Sequence, residues 1–257
     1  MSLPDRKNVE KLVSELFGIL FPINKDLEIE KAPDGDNFEY SIRHLLEEIL
    51  SGLVNKKETT TDNFLKKLSS TKEKLLKDAN FILVSDPAAT HLAEVITMYP
   101  GFYAIFCYRI AHCLAKMHVP FLPRMITEIA HSRTGIDIHP LASIGCPFSI
   151  DHGTGIVIGE TTKIGHKVKM YQGVTLGALS VAKNKASKKR HPTIEDNVIL
   201  YSGSTILGGE TVVGRNCIIG GNVFLTQSIA PFSVVYHKSE VIVREHKSFS
   251  EPINFII

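Results

Sequence analysis

Aliphatic residues recur every six positions through the middle of the chain. Ile138, Ile144, Ile150 and Ile156 fall six apart, and Ile158, Ile164, Met170 and Leu176 continue two residues out of phase. After a polar interruption come Ile194, Leu200 and Ile206, then Val213, Ile219 and Leu225. Several are followed directly by glycine, as at Ile144-Gly145, Ile158-Gly159 and Ile219-Gly220. A period of six matches neither an amphipathic helix nor a half-buried strand. It predicts a parallel β-helix, in which each hexad forms one face of a triangular coil and points one aliphatic side chain inward. A β-sandwich would show hairpin dipeptides and regular turn signals, and neither is evident. The period slips just after Asp151-His152 and again across the polar stretch Ala178 to Arg190. Insertions in a solenoid become loops on one face, often the binding face.

The residues before about 132 follow a helical period instead. Val9, Leu12, Val13, Leu16 and Leu20 mark one amphipathic helix, and Ile42, Leu45, Leu46, Ile49 and Leu53 a second. A third is expected from about Asp62 to Asp78, its lysines forming a solvated face. Ser85-Asp86-Pro87-Ala88-Ala89 reads as a capped helix start, broken at Pro100-Gly101. Phe102 to Met117 follows, burying Phe102, Ile105, Phe106, Arg109, Ile110 and Cys113, and Arg124 to His131 forms the last helix. The expected fold class is therefore α+β: an N-terminal helical domain (1–132), a β-helical hexapeptide-repeat domain (133–236) and a C-terminal tail (237–257). The tail ends on apolar Ile253 to Ile257, which either folds back on the solenoid or docks into a partner.

Composition narrows the class. With 44% hydrophobic and 22% charged residues, the chain has the make-up of an ordinary soluble protein. A net charge of +2 gives no sign of a nucleic-acid partner. The basic cluster Lys183, Lys185, Lys188, Lys189 and Arg190 is either a solvated loop or an attractor of an anionic ligand. Cys107, Cys113, Cys146 and Cys217 lack metal-site or disulfide spacing. No signal core or membrane-length apolar run is seen, so the expectation is a cytoplasmic protein without membrane attachment or resident metal.

Histidine suits general-base work near neutral pH, and works best with a carboxylate to fix its tautomer. His152 sits beside Asp151 in a glycine-rich kink, and Asp137 is close to one coil upstream. The blander reading of His152 is a corner residue bonding backbone, which fits His139 better. Arg190 can clamp a carboxylate in a bidentate pair, with His191 as a second donor. The small residues from Gly173 to Ala178 offer backbone donors to an oxyanion or a pantetheine arm.

These motifs together resemble the serine O-acetyltransferase family. The resemblance rests on Asp86-Pro87-Ala88-Ala89, Tyr99-Pro100-Gly101-Phe102, Asp137-Ile138-His139-Pro140, Asp151-His152-Gly153-Thr154-Gly155, Gly173 to Gly177 and Arg190-His191-Pro192, in order from about residue 80 to 226. It implies a left-handed parallel β-helix that trimerises, or pairs trimers, with active sites between subunits. It implies His152 as base, oriented by Asp137, and L-serine held by Asp86, Asp151, Arg190 and His191. Acetyl-CoA, as co-substrate rather than permanent cofactor, would contact Gly177, Ala178, Ser202, Ser204, Gly220 and Gly221. Ile257 matches the terminal isoleucine by which family members engage O-acetylserine sulfhydrylase, and cysteine inhibition at the serine site is a further family expectation. The sequence departs from the pattern at Ala178, where many members have glycine, in its longer basic loop, and at Val235-Tyr236-His237-Lys238. Rival readings are a sugar acetyltransferase, a zinc hydratase using His152, His166 and His191, and a non-catalytic scaffold.

Overall fold

The structure, a computed structural model, describes residues 3–24, 26–29, 36–179 and 188–238, without the side chains of 36–39. Helices come first: α1 (Arg6–Leu20), α2 (Asp36–Leu50), α3 (Lys57–Ser85), α4 (Leu92–Met98), α5 (Pro100–Lys116) and α6 (Leu122–Thr134). Asp5 caps α1 by accepting from the Lys7 amide at 2.6 Å. The expected apolar stripes of α1, α2 and α5 are all buried.

Two helical expectations are corrected. Helix α3 runs 29 residues rather than ending near Asp78. No glycine or proline interrupts it before Ser85, and its last turns bury Asp78, Ala79 and Ile82 against the solenoid. Asp86-Pro87-Ala88-Ala89 does not start a helix. Asp86 is the extended residue that ends α3, and its carboxylate accepts from the Ala88 amide at 2.8 Å to close a turn. Helix α4 begins only at Leu92.

From Asp137 the chain winds into a parallel β-solenoid with three faces. Face 1 stacks the strands Asp137–Ile138, Val157–Ile158, Thr175–Gly177, Thr205–Leu207 and Phe224–Leu225. Face 2 stacks Ser143–Ile144, Lys163–Ile164, Thr193–Ile194 and Val212–Val213. Face 3 stacks Phe148–Ile150, Val168–Met170, Ile199–Leu200, Ile218–Ile219 and Val234–Val235. The hexad residues form the interior rungs: Ile138, Ile158, Leu176 and Ile206 stack inside face 1, and Ile150, Met170, Leu200 and Ile219 inside face 3. Each is at most 2% exposed, and burying such a side chain contributes roughly 1.5–3 kcal/mol. The phase slip after His152 arises because the first coil, pairing Asp137 with Val157, is two residues longer than the next, which pairs Val157 with Thr175.

A buried ion pair and two polar contacts join the helices to the first coil. Arg109 forks onto Asp78, with Nη2 to Oδ1 at 2.8 Å, and Nη2 also donates to the Gly145 carbonyl at 2.9 Å. The Phe148 amide donates to the same Asp78 carboxylate at 2.9 Å. Burial pushes the Asp78 carboxyl above its ordinary value, against the pull of Arg109. Removing one partner of such a pair costs about 3–5 kcal/mol. Tyr108 donates its hydroxyl to the Ala142 carbonyl at 2.6 Å, and His112 Nδ1 lies 2.8 Å from the Pro140 carbonyl. Helix α5 thereby fixes the coil that carries Asp151 and His152.

Candidate active site

The turn from face 3 to face 1 in the first coil carries Asp151 and His152. Both His152 (φ 56°) and Gly153 (φ 92°) adopt left-handed backbone. A Cβ at Gly153 would fall 2.5 Å from Ile136 Cδ1, so glycine lets the turn fold flat onto the interior. His152 is thrown outward, its side chain 72% exposed and Nε2 3.8 Å from Asp151 Oδ1. Asp86 reaches the same place from the end of α3, and Asp86, Asp151 and Tyr171 line one crevice. Tyr99 donates its hydroxyl to Asp86 Oδ2 at 2.6 Å. That bond, with the Ala88 amide, holds the Asp86 carboxyl below its ordinary value, and it pushes the Tyr99 phenol up to about 12. The result is two carboxylates beside an exposed imidazole, suited to an ammonium group and a general base. Tyr99 stood in a recognised motif without a role, and the bond to Asp86 supplies one. Tyr171 stacks on Tyr201 of the next coil at 5.0 Å, continuing this edge away from His152.

Arg190 and His191 occupy a different edge, between faces 1 and 2. His191 is 8% exposed. Its ring lies over Gly159, where a Cβ would fall 2.0 Å from Cδ2. The Thr161 amide donates to His191 Nδ1 at 3.1 Å, and the Thr161 hydroxyl lies 2.9 Å from the same nitrogen. Nδ1 is therefore the acceptor and Nε2 carries the proton, a fixed donor. Burial and the neighbouring Arg190 push the His191 pKa down to about 4, so the ring is neutral at neutral pH. Arg190 pairs with Glu160, and Thr161 Oγ1 accepts from the Arg190 amide at 2.9 Å. Thr161 escaped the sequence reading, because its role exists only once two coils are stacked.

The two edges are separated by face 1. About five residues at about 3.3 Å each span roughly 15 Å. One chain therefore brings Asp86, Asp151 and His152 together, and Arg190 and His191 together, but not the two sets. Asp137 begins face 1 one coil from His152. Its partner in the chain is Arg124, at 3.1 Å, which also pairs with Glu128. Glu128, His131 and Asp137 place ligand atoms within 4.8 Å of one another, but Arg124 already supplies their cation.

The residues expected to meet acetyl-CoA divide between the same two edges. Ser202, Gly220 and Gly221 lie on the His152 edge, where the Asn222 amide donates to the Ser202 carbonyl at 2.9 Å. Gly177 and Ala178 lie on the His191 edge, and Ala178 has no left-handed strain. Ser204 stands apart. It is fully buried, its amide and carbonyl are used between and within coils, and its hydroxyl has no partner among the described residues. The Gly173 and Thr175 amides, read as oxyanion donors, are spent on the Thr154 and Ser204 carbonyls. His139 behaves as a corner residue, accepting from the Leu141 amide at 3.2 Å. Ile257, Lys183 and Lys185 lie outside the described residues.

Stacked hexads behind a helical domain, with a histidine-aspartate turn on one edge, define an acyltransferase of the hexapeptide-repeat class. No protein-family model matches the chain. A plasmid-borne serine acetyltransferase of Synechococcus elongatus is 47% identical over 180 residues, which is 68% of this chain and 56% of that protein. The Bacillus licheniformis serine acetyltransferase is 45% identical over 182 residues, 70% of this chain and 82% of that protein. Among solved structures, Entamoeba histolytica serine acetyltransferase 1 in complex with L-cysteine superposes with a TM-score of 0.78 at 35% identity, covering 88% of this chain and 86% of that one. The chain belongs to the serine acetyltransferase family.

Proposed function

We propose that the chain transfers the acetyl group of acetyl-CoA to the hydroxyl of L-serine, giving O-acetyl-L-serine and CoA, at sites shared between adjacent copies. The observation that carries this reading is the convergence of Asp86, Asp151 and His152 on one edge while Arg190 and His191 stand on the next. An amino acid needs an anionic clamp for its ammonium and a cationic clamp for its carboxylate. Apposing the His152 edge of one copy to the His191 edge of another supplies both, in a trimer or a pair of trimers.

In this reading, Asp86 and Asp151 hold the serine ammonium, and Arg190 exchanges Glu160 for the substrate carboxylate with His191 Nε2–H beside it. His152 takes the hydroxyl proton as the oxygen attacks the thioester carbonyl. The tetrahedral intermediate expels the thiolate, and the imidazolium returns the proton to sulfur. Asp137 steadies the imidazolium once Arg124 yields to it. Acetyl-CoA lies in the groove between copies, where Ser202, Gly220 and Gly221 of one edge face Gly177 and Ala178 of the other. The division at about 132 and 236 and a cytoplasmic location belong to the same reading. Among the described residues no helix is long and apolar enough to cross a membrane. Docking on O-acetylserine sulfhydrylase through Ile257 is testable by deleting that residue and measuring co-purification.

The zinc-hydratase alternative is disfavoured by geometry. His152, His166 and His191 lie on three different edges, and His166 Nδ1 is 2.7 Å from the Cys146 carbonyl. The direct experiment is release of CoA thiol from acetyl-CoA with L-serine, with sugars and with neither. Serine-dependent release supports the reading, and sugar-dependent release without a serine response refutes it.

A further inference from the structure

We propose that the cleft between α3 and α5, beside the first coil, binds a compact polyanion of the pyrophosphate class. This cleft measures about 240 Å³ and is lined by Lys67, Lys74 and Lys116, with Arg109 and His112 among its walls. Lys67 and Lys74 are seven residues apart, about two turns of α3, and so share one face. Lys116 comes from the last turn of α5. No aspartate or glutamate lines the cleft.

Some cations on α1 and α6 find acids one turn away. Arg6 pairs with Glu10, Lys11 with Glu15 and Arg124 with Glu128. Lys67, Lys74 and Lys116 have no carboxylate within 4.0 Å among the described residues. The acid four residues beyond Lys74 is Asp78, which is fully buried and committed to Arg109 and the Phe148 amide. Three lysines thus line one concave site whose walls carry no carboxylate, and charge-assisted bonds to a multivalent anion are the strong ones available to them. This site lies in the helical half, outside the acetyl-transfer machinery, and does not depend on that reading.

His112 gives the site a second signature. Its Nδ1 donates to the Pro140 carbonyl, which leaves Nε2 without a proton in the neutral ring. Burial lowers its pKa, and Lys116 and Arg109 of α5 and Lys74 of α3 lower it further. A bound anion offsets those positive charges and so raises the ring's affinity for a proton.

Calorimetric titration of the full chain with inorganic pyrophosphate tests the proposal, against sulfate at matched ionic strength and in two buffers of different ionisation enthalpy. One pyrophosphate per chain is expected, with proton uptake and a raised melting temperature. Lys67→Ala and Lys74→Ala each weaken binding about tenfold. Lys116→Gln, at an exposed position, does the same and covers the case in which an α3 variant folds poorly. Two results would overturn the proposal: affinity unchanged in folded variants, or an equal response to sulfate.

Discussion

His152 and His191 stand at neighbouring edges of one prism and are held in opposite ways. His152 projects from a left-handed turn, its side chain 72% exposed, with the carboxylates of Asp151 and Asp86 beside it. His191 is 8% exposed, packed on Gly159, and fixed in one tautomer by Thr161. The first arrangement leaves an imidazole open to a bound ligand. The second makes a neutral donor that does not titrate at neutral pH. A single sequence thus builds an open imidazole and a packed one from the same side chain, by choosing which turn is open and which is filled, and the proposed function uses the first as base and the second as binding group. Neither edge is a complete site, which is why the proposed function needs a second copy.

The largest expected effect comes from removing the exposed member. His152→Ala should lower kcat by about 10²–10⁴-fold with the fold intact, as loss of a general base does. Steady-state kinetics beside a melting curve checks it, and an unchanged kcat would remove His152 from the chemistry. Next comes the filled edge. Gly159→Ala places a methyl group 2.0 Å from the His191 ring, so the ring must leave its seat at a cost of about 1–3 kcal/mol. The expected result is a higher KM for serine and a lower melting temperature.

A smaller effect separates the carboxylates from the base. Tyr99→Phe deletes the 2.6 Å bond to Asp86, worth about 1.5–3 kcal/mol for a charged acceptor. It should raise KM for serine with little change in kcat. Most gradual is the pH response of His191. Its folded pKa, about 4, lies below the ordinary 6.5, so between these values the unfolded chain binds a proton that the folded chain does not. Stability from this group is complete above about pH 6.5 and falls as pH drops toward 4. Melting curves of wild type and His191→Asn across that window should converge at low pH.

How far the sequence could be read depended on the range of the cause. Period six is local, so the interior rungs from Ile138 to Leu225 were legible one residue at a time. The start of α4 was not, because a polar residue before proline serves equally well to begin a helix or to close the turn at Asp86. The Arg109–Asp78 pair joins residues 31 apart, and apolar periodicity marked Arg109 as buried without naming its partner. Within the site, Asp86, Asp151 and His152 were visible as motifs. Tyr99 and Thr161 acquire roles only through packing across coils and helices. That Asp151 and Arg190 lie on separate edges could not be read from spacing, because the insertion before Arg190 hides the coil count.

In the proposed function each working site takes His152 from one copy and His191 from another. The most direct measurement mixes His152→Ala and His191→Ala by co-refolding in equal amounts, and follows serine-dependent release of CoA at serine concentrations too low for either variant alone to turn over. In a closed ring with random mixing, about a quarter of the interfaces regain both histidines, so activity should return to about a quarter of wild type. Mixed oligomers that form but stay no more active than either parent would show that the two histidines do not share a site.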